Sequence, residues 1–118
     1  MPLTNAPTAT DLEVFHVYAA SEIPDQIAFG TDGKLYVTLV LTSQVSVLAS
    51  DGTELARLQS SPEDDIPLDG PAGIAFDSRT KSIMIANHAP FSGLPAHFAV
   101  LQSFVGDPGD PLVEPTLP

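Results

Sequence analysis

Residues 23–58 read IPDQIAFGTDGKLYVTLVLTSQVSVLASDGTELARL, and the turn chemistry inside this stretch decides the fold class. Two Asp-Gly pairs, Asp32-Gly33 and Asp51-Gly52, suit the positive φ values of tight hairpins, and each is flanked by short runs rich in Ile, Leu, Val and Tyr. Residues 27–29 lead through the first pair into residues 35–40. Residues 41–43 then turn the chain into 45–49, where Val45, Val47 and Ala49 alternate with Ser46 and Leu48, and the second pair leads into 54–58. The spacing predicts a four-stranded antiparallel meander over residues 23–59. Glu54, Leu55, Ala56, Arg57 and Leu58 also favour helix, but the run is short and follows an Asp-Gly turn, so strand is expected.

Downstream, after a polar, Pro-rich loop at 60–71 (SSPEDDIPLDGP), the pattern recurs. Pro24-Asp25-Gln26-Ile27-Ala28-Phe29 aligns with Pro71-Ala72-Gly73-Ile74-Ala75-Phe76, with Pro, Ile, Ala and Phe shared in order. Leu35-Tyr36-Val37 aligns with Ile83-Met84-Ile85, and Val45-Ser46-Val47-Leu48 with Phe98-Ala99-Val100-Leu101. A repeat of this length with about four short strands per unit is the sequence signature of a β-propeller blade. Apolar residues on both sides of each sheet require a neighbouring sheet against each face. The expected fold is therefore all-β, a partial β-propeller of about two four-stranded antiparallel blades at 23–59 and 70–105. The two outer faces are expected to be open and to favour self-association, and three copies would bring six blades together.

Upstream, residues 1–11 are rich in Pro, Thr and Ala and read as a flexible leader. Residues 12–18, with Val14, Phe15, Val17 and Tyr18, read as an isolated strand of a preceding blade, and residues 106–118 as a Pro-rich tail.

Composition narrows the function classes. Across 118 residues, 15 Asp and Glu against 4 Lys and Arg give a formal net charge of -11, which disfavours a nucleic-acid partner. With no cysteine, the chain has no thiolate nucleophile, disulfide or cysteine-held zinc. Twelve prolines and eight glycines argue against long helices, while an apolar fraction of 43% argues against disorder. No basic and apolar leader and no apolar run of membrane-spanning length stand in the sequence, so a soluble chain, cytoplasmic by default and without a membrane partner, is expected.

The string from Ile23 to Leu58 resembles the senescence-marker-protein/gluconolactonase family of six-bladed propellers, which includes regucalcin-like and luciferin-regenerating-enzyme-like proteins. The carrying residues are Pro24-Asp25, Asp32-Gly33 and Leu35-Tyr36-Val37. GPAGIAFDSRTKSIMIANHA at 70–89 is similar to the blade that follows, and the resemblance covers about residues 12–115 as C-terminal blades. It implies a metal-dependent hydrolase of lactones or related esters, in which a divalent cation of the Ca2+ or Zn2+ class polarises the carbonyl and activates a water. Of the family's ligand set only Asp25 has a match, as metal ligand and catalytic residue. Gln26 stands where the family has Gly, and the second repeat has Ala72 at the Asp25 position. NHL-type repeats, which are non-catalytic interaction modules, read similarly, and an inactive truncated product is the third reading.

Each candidate also has a plain structural alternative. Asp25 in a strand-entry loop is equally an ordinary turn residue. Asn87 and His88 follow a strand and could supply ligand atoms with His97 nearby, yet the three histidines lack ligand spacing. Glu63-Asp64-Asp65 and Asp69 could attract calcium, but without EF-hand alternation they read as a solvated acidic loop. Ser43, Ser46 and Ser50 have no Gly-x-Ser-x-Gly frame, and no phosphate-binding glycine loop is present.

Overall fold

The computed structural model describes Thr8, Thr10 and residues 12–111. The expected leader, apart from Thr8 and Thr10, and the tail beyond 111 lie outside the described residues. Among the described residues, seven strands form two antiparallel sheets, and there is no α-helix. The first sheet has the order β1 (Pro24–Phe29), β2 (Leu35–Leu39), β3 (Gln44–Leu48), β4 (Glu54–Gln59); the second has the order β5 (Pro71–Asp77), β6 (Ser82–Asn87), β7 (Val100–Phe104). The second sheet thus has three strands where four were expected. After β7 the chain does not turn back along its own sheet. It crosses to the first, where the Asp107 carboxylate accepts from the Thr31 N–H at 3.0 Å and the Asp110 N–H donates to the Phe29 carbonyl at 3.1 Å.

The repeat is visible in the backbone as well as in the letters. Ile27 pairs with Val37 as Ile74 pairs with Ile85, and Phe29 with Leu35 as Phe76 with Ile83. Both first strands carry a bulge just after their proline. The Val40 N–H donates to the Ile23 carbonyl as the His88 N–H donates to that of Gly70, and Leu41 bonds Glu22 as Ala89 bonds Asp69. Left-handed residues coincide too, Ile23 (φ 48°) with Gly70 (φ 60°) and Lys81 (φ 54°) with Gly33 (φ 72°). The expected alignment of residues 45–48 with 98–101 is corrected by two positions. Val37 pairs with Ser46 and Ile85 with Leu101, so residues 46–48 correspond to 101–103. The intervening 88–99 connection is longer than its counterpart and hid the true lag.

The sheets pack face to face. Tyr36, Val45 and Val47 of the first sheet form one core with Ile83 and Ile85 of the second, flanked by Leu58, Ile74 and Phe76. The Tyr36 and Phe76 rings meet edge-on with centroids 5.0 Å apart. The fully buried Thr38 hydroxyl donates to the Ala72 carbonyl at 3.1 Å and accepts from the Gln26 N–H at 2.9 Å, tying the two bulges together. By the repeat equivalence, the second sheet's buried face (Ile74, Phe76, Ile83, Ile85) corresponds to the first sheet's opposite face (Ile27, Phe29, Leu35, Val37). The packing is therefore head-to-tail, with one face of the unit laid on the other face of the next.

Residues 12–18 form no strand. They run across the far side of the first sheet, where Tyr18 packs on Val37, Leu39 and Leu48. The expectation of two open outer faces is thereby corrected: this one is partly covered, with Val37, Leu39 and Leu48 at most 3% exposed while Ile27 and Phe29 of the same face stay exposed. The segment pairs with neither edge strand of the first sheet, β1 nor β4, and instead lays Tyr18 on the sheet's face.

Candidate functional site

Strand order brings the entries of β1 and β5, the end of β6 and the 88–99 connection to one end of the sheet pair. Every residue singled out for ligand chemistry in the two repeats lies there. Asp25 sits on the β1 bulge, exposed, with no hydrogen bond or ion pair to a described residue. His88 is exposed, and its N–H serves the backbone bond to Gly70. Asn87 is committed to structure. Its side-chain oxygen accepts from the Asp69 N–H at 3.0 Å, and its amide donates to the Pro67 carbonyl at 2.9 Å. Among the described residues, no three His, Asp or Glu side chains gather as a cation site.

A dense polar cluster centres on Asp69, which was expected to be solvated and is instead 6% exposed. Its carboxylate accepts from the Phe91 and Ser92 N–H groups at 3.4 and 3.3 Å and meets His97 Nδ1 at 3.2 Å. Hydrogen bonding from Ser92 foremost outweighs the opposing effect of burial, and with His97 and the two amides it holds the Asp69 carboxyl below the usual carboxylate range. Ser92 Oγ lies 3.1 Å from the same Nδ1. An acid–base relay needs the carboxylate on one ring nitrogen and the hydroxyl on the other, so that the imidazole can carry a proton between them. Here both meet Nδ1, and the cluster acts as a clamp closing the 88–99 connection onto the β5 entry. Asp69 is the repeat counterpart of Glu22, which pairs with Arg57. Extending the repeat alignment two residues upstream of each proline would have paired these two acids.

Two surfaces remain. A groove of about 870 Å³ runs between β1 and β5, lined mainly by Ile27, Phe29, Ile74, Phe76 and the 108–111 segment. A smaller hollow of about 380 Å³ lies under Asp64 and Asp65 between β4 and β7. The Glu63-Asp64-Asp65 run itself is exposed, its closest bond being Asp64 to the Ser61 N–H at 2.7 Å.

Comparisons with protein families, curated proteins and solved structures find no match to this chain.

The remaining feature is the far face of the second sheet. Strand alternation puts Ala75, Met84, Ala86, Val100, Gln102 and Phe104 there, and Val100 and Phe104 are 64% and 73% exposed. The first-sheet counterparts of Met84, Val100 and Gln102 are Tyr36, Val45 and Val47, which carry the intersheet core. No helix among the described residues is long and apolar enough to cross a membrane.

Proposed function

We propose that this chain is a pair of β-propeller blades acting as a non-catalytic interaction module, whose working surface is the far face of the second sheet. The observation that supports this reading is the head-to-tail packing. A unit that lays one face on the opposite face of the next leaves a docking face at the end of the row, and here that face exposes Val100 and Phe104 on either side of Gln102. The test is enzymatic and structural together. The module reading expects no hydrolysis of lactones or simple esters with added Ca2+ or Zn2+, and a chain carrying Val100→Lys and Phe104→Lys that melts at the wild-type temperature. Metal-dependent turnover that disappears in Asp25→Ala would replace it with the second reading.

That second reading is a metal-dependent lactonase of the gluconolactonase type in which Asp25 supplies one ligand. Its support is the exposed, uncommitted Asp25 carboxylate at the end of the sheet pair that also carries Asn87 and His88. One carboxylate binds a hard cation weakly, so further oxygen ligands would have to come from additional blades.

A further inference from the structure

On its first two strands the far face of the first sheet repeats the apolar chemistry that docks the two sheets together. Ile27 and Phe29 stand where the second sheet has Ile74 and Phe76, and Leu35 and Val37 where it has Ile83 and Ile85. A face of this kind is the natural seat for the exposed face of a second sheet, yet in this chain it is partly occupied. Residues 12–22 lie over Val37, Leu39 and Leu48, while Ile27 and Phe29 stay 53% and 56% exposed.

The seating of that segment is specific but light. His16 Nδ1 meets the Gly52 carbonyl at 2.8 Å, Tyr18 supplies the apolar contact, and Glu22 pairs with Arg57, which also lies 5.6 Å from the Tyr18 ring centroid. The Phe15 carbonyl passes so close to Gly52 that any side chain at 52 would collide with it. Between residues 12 and 18 no backbone hydrogen bond to the sheet holds the segment, and its first is at Glu22, whose carbonyl accepts from the Leu41 N–H at 3.3 Å. The Tyr18 hydroxyl, buried beside Ser46, closes no hydrogen bond. Ahead of Glu22 the covering is held by the Tyr18 ring and the His16 imidazole, with the Glu22–Arg57 ion pair at its base, and it can leave without breaking a strand ladder.

We propose that residues 12–22 are a displaceable cap, and that its release lets a second copy of this chain dock head-to-tail, the far face of its second sheet on the far face of the first sheet here. The proposal rests on reading the exposed face as a docking surface. Its occupant is a second copy because the contact would continue the intersheet packing already present within one chain, Ile27, Phe29 and Val37 taking the places of Ile74, Phe76 and Ile85. An interface of this kind is heterologous: each copy uses two different faces, and association propagates until it closes on itself.

The test is the mass of the full-length chain by light scattering over a range of concentrations. Wild type is expected to stay at 12.4 kDa. A released variant, Tyr18→Ser with Glu22→Lys, which sets a second cation beside Arg57, is expected to rise in mass with concentration. Adding either Phe104→Lys or Phe29→Lys to it should return each chain to the monomer. Mixing those two blocked chains should give one-to-one heterodimers and nothing larger, because one intact pair of faces survives.

Homodimers from a singly blocked chain, a released chain that stays monomeric with native β-sheet signal, or a wild type that associates as strongly as the released variant each overturn the proposal. If the released variant loses its β-sheet signal, hydrogen exchange on wild type decides. Amides of residues 13–18 are expected to exchange at least tenfold faster than those of β2 and β3, and equal protection overturns the cap. Lactone hydrolysis plays no part in these outcomes, so failure here is distinct from failure of the module reading.

Discussion

The two sheets share a repeat, a register and a bulge, yet their outer faces have opposite fates. On the first sheet, Val37, Leu39 and Leu48 are closed off beneath Tyr18; on the second, Val100 and Phe104 stand in solvent. The strands alone do not make this difference. It comes from the chain on either side of the repeat, since the segment before β1 lies across one face, whereas the segment after β7 crosses beneath the sheet pair to Thr31 and leaves the other bare. Equivalent sheets thus become inequivalent surfaces.

The sharpest way to break the comparison is to truncate one aliphatic side chain in each setting. Ile83→Ala in the intersheet core and Leu39→Ala under the cap, both fully buried, should each lower stability by about 3 kcal/mol in urea titrations. Phe104→Ala, at 73% exposure, should change it by less than about 0.5 kcal/mol. A large loss at Phe104 would mean that the second face is covered in the monomer.

Next in size is the crossing segment. Burial pushes the Asp107 carboxyl up, but the Gly109 and Thr31 N–H groups outweigh it and hold the group below the usual range. Asp107→Ala should cost on the order of 2 kcal/mol, the worth of a buried charged acceptor left out of its bonds. Because the folded pKa lies below the unfolded one, the stability Asp107 contributes is complete above pH of about 4 and is lost as the pH falls through the folded value. Asp69 adds to the same acid limb with the same sign. In Asp107→Asn the fall in melting temperature below that pH should be shallower than in wild type.

Smaller effects test the cap and the repeat. Tyr18→Phe removes a buried hydroxyl that closes no hydrogen bond, and should leave stability unchanged or raise it by up to about 1 kcal/mol. Ile23 and Lys81 hold left-handed backbone where the other repeat has Gly70 and Gly33. Ile23→Gly and Lys81→Gly relieve that strain, partly offset by the freer unfolded chain, for a net gain on the order of 0.5 kcal/mol each by thermal melts.

Much of this fold was legible from the letters. Asp32-Gly33 and Asp51-Gly52 mark the hairpins where they occur, and strand wins over helix at Glu54–Gln59 because the Asp51-Gly52 turn, closed by the Ala49 N–H on the Thr53 carbonyl at 2.8 Å, forces the chain back along β3. Pro24 and Pro71 mark the two bulges. The strand expected at 12–18 did not form: Val14, Phe15, Val17 and Tyr18 carry strand propensity, but a ladder also needs a partner strand in register, and here Tyr18 packs on the sheet face instead. The Asp69–His97 clamp was hidden in the same way, since the two residues stand far apart in a loop and a connection that read as solvated.

What the sequence determined by itself is local and periodic: where the chain turns, which residues alternate, and that one sheet-forming unit occurs twice. Those properties follow from backbone preferences and side-chain order within a few neighbours. Only the tertiary structure decided which of the two equivalent outer faces is covered, that Asp69 is buried while Asp25 is free, and that β7 is followed by a crossing and not by a fourth strand. Each of these depends on contacts between residues distant in sequence, where the outcome is set by which surface lies within reach of the chain once the two sheets have packed.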